Sequence, residues 1–194
     1  MSRRTQHLPP LTGLAHYVRE WRHKEVARQS LGVLLIPVYS LLARPDKWVF
    51  YIGAVLALGG MLVRLYASGF IVKNKELATY GPYSLVRHPL YTGNLLLMIG
   101  FTLICGQWWA VLVSGLFWWF YYPPAIAYED HKLHGIFGEA WETWSETVPA
   151  VIPADLKFSA GGGWSLMTSV KQNYEFLVVL FTVFWVLYVG RQFV

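Results

Sequence analysis

Five apolar runs, at about 26–42, 48–71, 90–105, 108–128 and 174–189, leave this chain few ways to fold. Each approaches the ~20 residues an α-helix needs to cross a hydrocarbon layer, and shorter segments survive where protein thins the bilayer or packs around them. Inside lipid the backbone finds no water to bond, so a helix is the form such a run takes. Only Pro45-Asp46 punctuates the gap after the first run, which Pro37 interrupts, and only Gly106-Gln107 lies between the third and fourth. Both gaps therefore make helical hairpins. Lys171 and Arg191 bound the fifth run, and many of the ten Trp and twelve Tyr gather near run ends, as interfacial anchors do. With 55% hydrophobic and 14% charged residues and a mean hydropathy of +0.38, the chain lies outside the soluble norm. The expected fold is all-α: a polytopic membrane helix bundle of about five spans in one domain, residues 1–194.

Charge sets the expected orientation. Five spans put the N-terminal tail, the second-to-third loop, the fourth-to-fifth loop and the inner ends of the spans that meet them, the second with Arg64, on one side, with thirteen of the sixteen Lys and Arg residues. Arg44, Lys47 and Arg191 remain on the other. The positive-inside rule then makes the rich side cytosolic. The net charge of +5 is thus a topology signal; no basic patch on a soluble face supports a nucleic-acid partner. MSRRTQHLPP is basic without an adjoining apolar core, so no cleavable signal peptide is expected. The single cysteine, Cys105, excludes an internal disulfide. Nothing in the pattern bears on oligomeric state.

Two amphipathic stretches flank the spans. At 14–28, Leu14, Tyr17, Val18 and Trp21 recur at helical spacing, while Arg19, Arg22, Lys24 and Arg28 cover other faces and read as a surface drawn to anionic headgroups. At 133–148, Leu133, Phe137, Trp141, Trp144 and Val148 predict a cytosolic helix lying on the membrane, with Gly135 and Gly138 weakening its continuity. The stretch from Pro153 to the glycines at 161–163 reads as a flexible connection to the last span.

Chemistry concentrates in GPYSLVRHPLYTGN at 81–94 and in Glu129-Asp130-His131-Lys132. Pro89 suits the first turn of a helix, which sets Arg87 and His88 at its entry, where free N–H groups can hold a carboxylate or phosphate. Tyr91, Thr92 and Asn94 carry polarity into the span; the same residues would also serve as headgroup anchors and interhelix contacts. Glu129 directly follows an apolar run, at a depth where a carboxylate wants a partner, whereas Asp130, Lys132 and Glu139 read as a solvated helix end. His131 and His134 are three apart, but His7, His16 and His23 form no companion cluster, so no metal site is expected. Phosphate-loop, dinucleotide and serine-hydrolase motifs are absent from the sequence.

GPYSLVRHPLYTGN at 81–94 together with EDHKLHGIFGEAWETWSETVPAVIP at 129–153 resembles the integral-membrane isoprenylcysteine carboxyl methyltransferases and, more broadly, the related phospholipid methyltransferases. The resemblance implies transfer of the methyl of S-adenosylmethionine, on the cytosolic side, to a lipid or prenylated acceptor entering from the bilayer. That membrane is the cell membrane in a prokaryote and the endoplasmic reticulum in a eukaryote. By motif position the cofactor contacts fall on Lys75, Glu76, Leu77, Ala78, Tyr83, His88, Pro89, Leu90, Tyr91 and Glu129, with Arg87, His88 and Glu129 as the catalytic set. Prenylcysteine enzymes carry an Arg four residues before the Glu that matches Glu129, and here that position is Ala125, a departure that implies either an acceptor other than a prenylcysteine or an anion-binding role passed to another residue such as Arg87. A carboxylate acceptor needs alignment more than a base, and an amine lipid would need a base. The lipid is expected to reach the site sideways between helices, and the soluble cofactor from the cytosol under the loop at 149–153. The distant alternatives are a membrane reductase using NADPH and a non-enzymatic scaffold or small transporter.

Overall fold

The computed structural model describes residues 4–71 and 75–193, and it is all-α, with no strand among the described residues. The helices are α1 (Gly13–Arg22), α2 (Glu25–Leu41), α3 (Lys47–Ser68), α4 (Pro89–Cys105), α5 (Trp108–Phe137), α6 (Glu139–Thr147) and α7 (Glu175–Gly190). Asp46 starts α3 by accepting the Trp48 N–H at 2.9 Å, the cap expected after Pro45. Gly106, at φ 66, turns the α4–α5 hairpin in the left-handed conformation that a side chain would resist.

Three helices are long and apolar enough to cross a membrane: α3, α5, and α7 with its short 3₁₀ extension, Glu175–Phe193. The runs at 26–42 and 90–105 form α2 and α4, each of 17 residues and so ~25 Å long, short of the ~30 Å hydrocarbon layer. Large apolar side chains such as Val55, Leu116 and Leu180 point outward, as a lipid-facing surface requires.

The two amphipathic stretches differ from expectation. The helix expected over 14–28 breaks at His23-Lys24, so Arg28 belongs to α2 and faces inward at 7% exposure rather than toward headgroups. The helix expected over 133–148 is also two pieces: α5 continues to Phe137, and Gly138, at φ 52, begins α6 at a new angle.

α3 and α4 form the closest pair. Gly53 and Gly60 on one, Gly93 and Gly100 on the other, are each seven apart and bring the backbones together. A methyl on Gly60 would lie 2.6 Å from the Gly93 carbonyl, and one on Gly53 2.7 Å from that of Gly100. Tyr39, Phe50, Ala57, Phe101, Ile104 and Val189 build the core around this seam. Tyr39 and Thr102 both share the Ser114 hydroxyl, at 2.9 and 2.7 Å, so α2, α4 and α5 are tied by a satisfied polar cluster.

Candidate functional site

A cavity of about 1100 Å³ opens at the polar end of the bundle and reaches down between α2, α4 and α7. A short 3₁₀ turn, Gly81–Ser84, delivers the buried Tyr83 to its wall. The backbone then runs beside the loop that follows α6: Arg87 N–H donates to Pro149 O at 2.8 Å, and His88 N–H to Ala150 O at 2.9 Å. The Thr92 hydroxyl adds Val151 O at 2.6 Å.

Asp130 organises the entry to α4. Its carboxylate accepts Arg87 Nε and Nη2 at 3.3 and 3.0 Å, and lies 2.8 Å from His88 Nε2. Arg87 Nη1 goes to Ser145 O and Val148 O, at 3.1 and 2.7 Å. Asp130 is therefore not the solvated helix end expected from sequence, and Arg87 is committed to structure rather than open to a ligand. Four of the N–H groups at this entry are also engaged. Tyr91 and Thr92 N–H both return to His88 O, Pro89 has none to offer, and those of Arg87 and His88 are taken by the loop.

Of the residues expected at the site, Glu76 to Ala78, Tyr83, Arg87 to Tyr91 and Glu129 all line this one cavity. Lys75 is exposed and stands outside the lining. Glu129 keeps about a third of its side chain accessible, with Lys132 at 3.6 Å. Burial, and next the nearby Glu129 charge, push the Tyr83 phenol well above its ordinary value, so it stays a neutral donor. Trp144 also lines the cavity, and its buried indole N–H has no acceptor among the described residues.

Sequence reasoning missed three further parts. Arg64 binds Glu175 at 2.6 and 3.1 Å and Asn94 at 2.7 Å, joining α3, α7 and α4 in the wall. A charge inside an apolar run was the available signal for Arg64. Arg28 lies over the rings of Tyr91 and Tyr122, at 5.2 and 5.4 Å. Arg4, from the tail, pairs with Glu25 and sits 4.5 Å over Tyr128. The two histidines considered for a metal part company: His131 stacks on His7 at 4.2 Å, and His134 lies 2.6 Å from Glu142. Among the described residues, no three His, Cys, Asp or Glu side chains gather as a metal site.

Residues 56–140 match the phospholipid methyltransferase family model. The chain is 36% identical over 123 residues to the cobalt-zinc-cadmium resistance protein CzcN of Cupriavidus metallidurans, covering 63% of this chain and 56% of that one. It is 32% identical over 83 residues to the protein-S-isoprenylcysteine O-methyltransferase of Schizosaccharomyces pombe, covering 42% and 35%. To protein-S-isoprenylcysteine O-methyltransferase B of Arabidopsis thaliana it is 30% identical over 82 residues, covering 42% and 41%. The chain thus spans about half the length, or less, of these curated relatives. No solved structure matches it. The resemblance carried by the two motifs is borne out by this kinship.

Proposed function

For a chain related to the isoprenylcysteine O-methyltransferases and matching the phospholipid methyltransferase family, we propose an S-adenosylmethionine-dependent membrane methyltransferase, built from five spans, with its site at the cytosolic face and a lipid-linked acceptor. The observation that carries it is the convergence of Tyr83 and His88, from the 81–94 stretch, with Glu129, from the far part of α5, on one cavity.

The donor set suits such a cofactor. Glu129 offers a carboxylate to ribose hydroxyls or an ammonium, Tyr83 and Trp144 offer ring surface, and the unpaired Trp144 N–H and protonated Tyr83 hydroxyl offer donors. When bound, the sulfonium supplies an activated methyl. The chain's part is to align and to exclude water, because a carboxylate acceptor is already nucleophilic. His88, held by Asp130, fixes the wall beside Tyr91, whose ring it stacks at 5.5 Å. The carboxyl of an isoprenylcysteine-like substrate is the acceptor that asks least of these residues.

The family match supports a second acceptor, the amine of a phospholipid. That amine must lose a proton before attack, and the accessible Glu129 is the group placed to take it. Titration calorimetry with S-adenosylhomocysteine on the detergent-purified protein tests the shared reading: saturable binding is expected, and a folded sample that binds none, or prefers NADPH, overturns it. Base-labile product from a prenylated cysteine identifies an ester; base-stable product from phosphatidylethanolamine identifies an N-methyl.

A further inference from the structure

Arg28 is the arginine of the cavity wall with the weakest counter-charge. Arg64, Arg87 and Arg4 each have a carboxylate within hydrogen-bond reach, in Glu175, Asp130 and Glu25. Arg28 has Glu25 only at 3.9 Å, and that carboxylate already serves Arg4 and Gln29. Yet Arg28 is 7% exposed. The Tyr91 and Tyr122 rings steady its charge through their faces, which leaves the N–H donors at the edge of its fork to spend. A cation held this deep is costly unless something completes it.

The rest of the wall narrows what that is. Arg87 is spent on Asp130 and two carbonyls, and at the α4 entry the N–H groups of Arg87, His88, Tyr91 and Thr92 are engaged, so both compete weakly for an anion. Arg28, Gly32, Ile36 and Tyr39 recur at helical spacing and all line the cavity. They descend α2 from the polar end into the apolar layer, where Leu97 and Phe101 join them. An amphiphile lying along this face puts its tail beside Gly32 and Ile36 and its polar end at Arg28. On α5, Tyr122 lines the cavity, and Ala125, nearly one turn further on, is buried and carries no charge. Arg28 also lies outside residues 56–140, so the family match assigns it nothing.

We propose that Arg28 receives the anionic oxygen group of the lipid-linked acceptor, a carboxylate or a phosphate, through paired N–H donors, while the acceptor's chain lies along α2. This rests on the methyltransferase reading and names the chemistry its second substrate must carry. It makes Arg28 a specificity residue, with no proton or methyl passing through it.

The test uses the full chain in detergent as wild type, R28K and R28M, with thermal melting to establish folding. Acceptor binding is read by tryptophan fluorescence without cofactor, using N-acetyl-S-farnesylcysteine, its carboxamide, and phosphatidylethanolamine in mixed micelles. S-adenosylhomocysteine binding is measured separately by calorimetry. R28M is expected to weaken the anionic acceptor by about 10- to 100-fold, the worth of a charged hydrogen-bonding group. R28K, which keeps the charge and loses the fork, falls between. Wild type should prefer the carboxylate to its carboxamide, and R28M should not. A response confined to farnesylcysteine identifies the anion as a carboxylate; one confined to phosphatidylethanolamine identifies a phosphate. Equal acceptor binding by wild type and R28K overturns the proposal even if R28M fails to fold. So does a loss of S-adenosylhomocysteine affinity in place of acceptor affinity, which would give Arg28 to the cofactor. A wild type that binds acceptors but no S-adenosylhomocysteine sinks the parent reading while leaving the Arg28 result legible.

Discussion

The Asp130 carboxylate grips the Arg87 guanidinium along one edge, Nε at 3.3 Å and Nη2 at 3.0 Å, while the opposite Nη1 holds the carbonyls of Ser145 and Val148. One side chain thereby joins the start of α4, the C-terminal part of α5 and the turn after α6. Both partners are about one-sixth exposed, so the pair is partly desolvated and removing one member strands the other.

D130N is expected to lower stability by about 1–3 kcal/mol and to weaken S-adenosylhomocysteine through the disordered α4 entry. Thermal melting and calorimetry on the same preparation check it. An unchanged melting temperature would show Asp130 to be dispensable to the entry.

E129Q separates binding from folding. Glu129 faces the cavity and among the described residues has only Lys132 at 3.6 Å as an ion partner, so melting should hold while S-adenosylhomocysteine affinity falls by about 1–3 kcal/mol. Wild-type affinity in E129Q would remove Glu129 from the site.

The α3–α4 seam predicts opposite effects at adjacent glycines. G60A drives a methyl to 2.6 Å from the Gly93 carbonyl and should cost about 1–3 kcal/mol, whereas Gly59 has open space and G59A should be neutral or stabilising. Melting of the two variants side by side decides it; equal behaviour would mean the helices do not touch there.

Orientation is open to labelling because the native Cys105 is fully buried. In intact cells or sealed spheroplasts, an impermeant maleimide should reach K47C from outside and K157C only after permeabilisation. Reversed labelling would invert the expected topology.

Much of this architecture was legible because lipid imposes its demands locally: four of the five apolar runs became helices within a few residues of their expected ends, while the fourth, expected to stop at 128, continues to Phe137. The Gly81–Asn94 stretch and Glu129 announced themselves as polar residues beside apolar ones. Asp130 did not, since its partners Arg87 and His88 stand 43 and 42 residues away and nothing within its own helix distinguishes a solvated end from a staple. Arg28 was hidden by periodicity that ran unbroken across His23-Lys24, where the chain turns with neither glycine nor proline to mark it. A side chain's facing follows from where its helix breaks, and that break is set by tertiary contacts such as Arg22 Nε on Phe120 O at 3.0 Å.

The carbonyls of Pro149, Ala150 and Val151, each taken by a donor at 87, 88 or 92, turn that loop into a fixed lintel rather than a swinging door. Lifting it means unlatching the entry to α4 below. Passage through the polar end is left to the jambs on either side, and whatever loosens them will govern how fast the chamber fills and empties.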